Sequence, residues 1–141
     1  MWNGLANKSE IRRNFKGGIM QDRLKFRVFD NDDKKMHDVI FLNYENNSVE
    51  WYNDNNKKRA AFIGEVPIVQ CTGLEDINGK LIYEGDIIKS VNSNSTNLIE
   101  WFEGDAGFGY SYEEEVIQLL YTSYMEKVIG NIYENPELLR K

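Results

Sequence analysis

The chain has one cysteine and one histidine among 141 residues, and each scarcity excludes a class of chemistry. Cys71 alone forms no internal disulfide and no cysteine-based zinc site. His37 alone rules out a centre built from several histidines. No apolar run approaches the roughly 20 residues that a membrane-spanning helix needs. Residues 1–16 are polar where the apolar stretch of a secretory signal would sit. The expectation is a soluble cytoplasmic protein, with no metal and no cofactor.

What is present supports a folded chain. Hydrophobic residues make up 41% and aromatics 13%, which is enough for a core and argues against wholesale disorder. The length suits one domain or two small lobes. Lys plus Arg number 17 against 23 acids, a net charge of -6, and that charge is unevenly spread. In residues 1–19, Lys8, Arg12, Arg13 and Lys16 face only Glu10, giving +3 and leaving -9 on residues 20–141. The first segment has one weak apolar pair, Ile11 and Phe15, followed by the breaker Gly17-Gly18. We read it as a basic extension outside the core, so a chain starting at Met20 is expected to fold. The codons of Lys16-Gly17-Gly18 are compatible with a ribosome-binding site just ahead of Met20, which would make the extension upstream sequence. The rival reading is a basic arm docking through Arg12, Arg13 and Phe15.

From Arg23 the pattern becomes β. Leu24, Phe26 and Val28 alternate with Arg23, Lys25 and Arg27. The polar run 30–35 predicts a turn, and the apolar stretch 36–42 completes a hairpin. Residues 48–52 and 60–63 predict a second hairpin across the polar loop 53–59. Residues 66–72 form a further strand, with Pro67 near its start, where a missing N–H is tolerated. Asn78-Gly79, between residues 74–77 and 80–83, predicts a tight type I′ turn, because both residues readily take positive φ. Strands are then expected over 86–91, 98–102, 108–112 and 127–133. Residues 113–120 fit either a helix, through Val116, Leu119 and Leu120, or a strand. Asn135, Pro136 and Glu137 signal a single closing turn.

Several motifs are more specific than these patterns. Thr72-Gly73-Leu74 with Asp76, Asn78-Gly79-Lys80, and Ile82-Tyr83-Glu84-Gly85-Asp86-Ile87-Ile88 resemble the signature of the YopX family. The closing run Val128-Ile129-Gly130-Asn131-Ile132-Tyr133-Glu134-Asn135-Pro136-Glu137-Leu138 is similar to that family's C-terminal motif. Phe26-Arg27-Val28-Phe29-Asp30 with Lys35-Met36 resembles its opening. The resemblance implies a phage or prophage protein with a β-rich N-terminal part and a C-terminal SH3-like barrel. It implies no particular activity and carries over no catalytic residue. In physical terms, Gly73, Gly79, Gly85 and Gly130 fit turns, bulges or close approaches. Asp86 is placed to accept backbone N–H groups at the Gly85 corner, and Pro136 to end the last strand.

No constellation for catalysis stands out. Asp30-Asn31-Asp32-Asp33 lacks the Gly and Glu of a calcium loop, whose sixth and twelfth positions here hold Lys35 and Phe41. Cys71 with His37 lacks a nucleophile signature, and an isolated Cys is usually a small core residue. Asp76, Glu84 and Asp86, or Glu113, Glu114 and Glu115, are too many to mark an acid–base pair. Gly104, Gly107 and Gly109 lack the Lys and Ser/Thr of a phosphate loop. Trp51, Tyr52, Trp101, Phe102, Phe108, Tyr110 and Tyr112 could stack on bases. However, the one compact cationic cluster of the body is Lys57-Lys58-Arg59, too little to hold a phosphate backbone.

The expected architecture is mainly β: the basic extension 1–19, a β-hairpin lobe over 20–70 and an SH3-like small β-barrel over 71–141. The expected function is non-enzymatic, through protein–protein contacts, since an acidic body favours basic partners. The alternative is a nucleic-acid-associated protein, either a direct binder or an acidic decoy of a DNA-binding host protein.

Overall fold

The computed structural model describes residues 22–118 and 125–139. The extension 1–19, and Leu119 and Leu120 of the ambiguous segment, lie outside the described residues.

The alternating residues after Lys25 form β1 (Phe26–Asp30), whose Val28 and Asp30 are buried on one face. The polar turn leads into β2 (Lys35–Asn43), with Lys34 at φ 60°. The second hairpin is β3 (Ser48–Tyr52) and β4 (Lys58–Phe62). β5 (Ile68–Glu75) starts just after Pro67, whose carbonyl accepts the Phe29 N–H. β5 passes Gly73, at φ 83°, and turns back as β6 (Leu81–Tyr83). These strands make one antiparallel sheet in the order β4-β3-β2-β1-β5-β6.

One face of this sheet closes over Val28, Val49 and Trp51, joined by Val39 and Leu42. The other face carries Val69, Cys71 and Tyr83, packed with Met36 and Tyr133. At this second face the C-terminal segment docks: Tyr133 stacks on Phe29 with centroids 5.6 Å apart, and the Met36 N–H donates to Glu134 Oε1 at 2.6 Å.

Two three-stranded sheets follow. β7 (Asp86–Ser90) lies between β12 (Glu126–Asn131) and β8 (Thr96–Leu98). β10 (Gly107–Tyr112) lies between β9 (Glu100–Phe102) and β11 (Glu115–Gln118). The single strand expected over 98–102 is thus two. Ile99, fully buried, donates its N–H to Asp86 and accepts the Gly85 N–H, while Glu100 to Phe102 turn to pair with β10. The chain changes sheets at that residue, and no closed barrel forms among the described residues. Of the expected SH3-like small β-barrel over 71–141, the antiparallel β character is present. Ile82, Ile88, Ile99 and Val128 form the core here.

Residues 115–118 of the ambiguous segment are strand. Glu113 and Glu114 both take positive φ, 49° and 68°, in a two-residue loop that sets Tyr112 opposite Glu115, the geometry a tight hairpin requires. The expected Asn78-Gly79 hairpin is present, but its turn differs. Gly79 has φ 78° while Asn78 is not among the residues with positive φ, so the turn is not type I′. Asp76 decides this by accepting the Asn78 and Lys80 N–H groups on Oδ1, at 2.8 and 2.9 Å. The closing turn spans Pro136–Leu139. The last strand ends at Asn131, ahead of the position expected from Pro136.

Candidate functional site

An open groove of about 650 Å³ runs along β1, β2 and β6. Its charged centre follows from strand register. Arg27 lies opposite Asp38, so the guanidinium Nε meets the carboxylate at 3.1 Å. The same guanidinium lies 4.3 Å from the centroid of the Tyr83 ring, a cation–π contact. Burial pushes the Tyr83 hydroxyl up to about 12, so it stays protonated.

The apolar walls follow from a defect in the sheet. Val39-Ile40-Phe41-Leu42 is a run of four apolar residues, and strict alternation would bury two and expose two. The register instead shifts between Val39 and Phe41, as a bulge does. Val39 and Leu42 face the core, and Ile40 and Phe41 are left 48% and 51% exposed. Leu24, 69% exposed, and Tyr44, 77% exposed, extend this surface. Four large apolar side chains around one concavity form a patch of the kind that marks an interaction site.

The buried carboxylates serve the backbone. Asp30 accepts the Asp32 and Asp33 N–H groups on Oδ1 and the Trp51 indole N–H on Oδ2, the last at 2.9 Å. Burial pushes its pKa up, but these donors outweigh that and hold it below the usual carboxylate range. Asp76 binds its own turn, and Asp86 Oδ2 takes the Tyr83 N–H at 2.8 Å across the Gly85 corner, as its position in the sequence predicts. Burial raises the Asp86 carboxyl to about 6. Burial and the Glu100 charge raise Glu84. No buried polar side-chain atom lacks a partner among the described residues.

The other candidate residues are distributed as follows. Asp30, Asp33 and His37 place ligand-type atoms within 4.8 Å of one another. His37 Nε2 bonds Asp33 Oδ2 at 2.6 Å, and the Asp54 N–H shares that oxygen. Asp30 is held by three donors of its own, and the Asp33 bonds to His37 and to the Asp54 N–H join the β1–β2 turn to the β3–β4 loop. Cys71 is fully buried opposite Tyr83. Burial raises its thiol pKa, and His37 bonds Asp33 rather than Cys71. Lys58 pairs with Glu50, and Arg59 with Asp32, so acids neutralise two of the three cations in that cluster. Trp51 is core, whereas Trp101 and Tyr112 are about half exposed. The Gly104 loop carries Glu103 and Asp105, a poor cradle for an anion.

The groove was not anticipated from the sequence. Its signals were Leu24, outside the strand it was expected to join, and four consecutive apolar residues in a two-faced strand.

The fold and groove together define a small, almost entirely antiparallel β protein with one open, partly apolar sheet face. The model of the family described as "YopX protein" matches residues 25–140, and the chain belongs to the YopX family. The crystal structure of protein EF1440 from Enterococcus faecalis is similar to it, with 29% identity and a TM-score of 0.57, covering 82% of this chain and 97% of that one. No curated protein matches the chain.

Proposed function

We propose that this is a non-enzymatic accessory protein of a phage or prophage, acting in the bacterial cytoplasm by binding another protein through the groove. One observation carries the reading: Leu24, Ile40, Phe41 and Tyr44 stand exposed around the Arg27–Asp38 pair. That combination of apolar anchors and a central charged group is the composition of protein interfaces. The commitment of Asp30 to two backbone donors and the Trp51 indole, and of Asp76 and Asp86 to backbone donors, supports a non-catalytic role. In the C-terminal part, the β7–β8 hairpin, the change of sheet at Ile99 and the final turn next to β8 support reading an SH3-like arrangement left open.

The test is affinity purification of the tagged protein from infected or induced cells, with and without nuclease, alongside Phe41→Asp. The same proteins should co-purify after nuclease treatment and be lost with Phe41→Asp. Loss of all partners on nuclease treatment, with salt-sensitive binding of the purified protein to DNA or RNA, would replace this reading by the nucleic-acid one.

A further inference from the structure

β7 and β12 pair so that Lys89 and Lys127 stand directly opposite each other. Like charges in that position repel and cost stability. Neither ammonium has an ion-pair partner among the described residues. The two lysines line a cavity of about 290 Å³ with Ser90, Val91, Ser93 and Asn94, and among the described residues no carboxylate shares that lining. Glu126, which pairs in register with Ser90, accepts the Tyr110 hydroxyl at 3.1 Å instead. The turn after β7 holds the hydroxyls in place: Ser90 Oγ accepts the Asn92 N–H at 3.3 Å, and Ser93 Oγ lies 2.8 Å from Ser95 Oγ.

A concavity with two cations lacking ion-pair partners, the Ser93 hydroxyl and the Asn94 amide, and no acid among the described residues, has the chemistry of an oxyanion site. Its volume is at the lower end of small-molecule pockets. We propose that this cavity binds the phosphate monoester of a small molecule, with the phosphate oxygens between Lys89 and Lys127 and hydrogen bonds from Ser93 and Asn94. None of these residues lines the groove, so this proposal stands or falls independently of the protein-contact reading.

The experiment is a titration of the isotopically labelled full chain with inorganic phosphate, at ionic strength held constant with chloride, followed by amide resonances. Saturable shifts should be confined to residues 89–94 and 126–128. They should weaken at least tenfold in the double variant Lys89→Gln, Lys127→Gln. That variant removes a repulsive pair, so its melting midpoint without phosphate should equal or exceed that of the wild type, which separates lost binding from lost folding. Phosphate should also raise the wild-type midpoint above the chloride control, by linkage, and leave the variant's unchanged. Absence of saturable shifts, an equal response in the variant, or a response to a single-stranded oligonucleotide but not to phosphate would overturn the proposal.

Discussion

The Asp76 carboxylate accepts the backbone N–H of Val128 at 2.9 Å, across 52 residues of chain. Its other oxygen holds the Asn78 and Lys80 amides of its own turn. One side chain, 3% exposed, thus joins the β5–β6 hairpin to the last strand. Asp76→Ala would leave three N–H groups without their acceptor, and a buried unsatisfied donor costs about 1–3 kcal/mol. We expect a loss of roughly 3 kcal/mol or more by urea denaturation. Asp76→Asn keeps one acceptor oxygen and should lose clearly less. A loss below about 1 kcal/mol for Asp76→Ala would mean that the carboxylate's two-sided bonding contributes little.

Gly79 and Gly85 have nearly the same backbone angle, φ 78° and 86°, but different surroundings. A Cβ at Gly79 would meet nothing nearer than Glu75 Oε2 at 3.9 Å, whereas one at Gly85 would lie 3.1 Å from the Tyr133 ring. Gly79→Ala should therefore cost about 1 kcal/mol for the strained conformation alone. Gly79→Val, β-branched, should cost more. Gly85→Ala adds overpacking and should cost about 2–4 kcal/mol. A Gly85 variant as stable as the Gly79 variant would argue against the Tyr133 contact.

Asp86 sets a pH dependence of unusual sign. Burial raises its carboxyl from 3.8 to about 6, against the pull of the Tyr83 N–H, Arg27 and Lys80. The folded chain therefore keeps this proton over a range where the unfolded chain has released it. The contribution is full below about pH 4 and is lost as pH rises to about 6; its size is at most roughly 3 kcal/mol. Asp30 and Asp33, both lowered, act oppositely and lose their contribution as pH falls below the ordinary carboxylate range. Urea midpoints measured from pH 3 to 8 should fall between pH 4 and 6 in the wild type. Asp86→Asn should flatten that limb, and an unchanged slope would assign it to other groups.

Phe41 projects into the groove at 51% exposure. If its role is contact with a partner, Phe41→Ser should change stability by no more than about 0.5–1 kcal/mol. A larger loss in thermal unfolding would make the residue part of the core and remove it from the interaction surface.

Much of the local structure was legible along the chain. Alternation at 26–28 and 48–52, the polar run at 30–35 and the glycines of the family motifs mark strands and turns, because side-chain period and φ preference are properties of a few neighbouring residues. Asp86 at its corner was legible for the same reason. Tertiary structure decided the rest. Asn78-Gly79 has the composition of a type I′ turn, yet Asp76 captures its amides, and positive φ at two successive loop residues occurs at Glu113-Glu114 instead. Val39-Ile40-Phe41-Leu42 reads as part of the apolar second strand of a hairpin, and only pairing with β3 inserts the bulge that leaves Ile40 and Phe41 exposed side by side. Whether β7 to β10 close into a barrel depends on Ile99 bonding to Gly85 and Asp86, and the opposition of Lys89 and Lys127 depends on the register of strands 38 residues apart. These features are set by which distant backbone group takes each hydrogen bond, and local sequence carries no record of that choice.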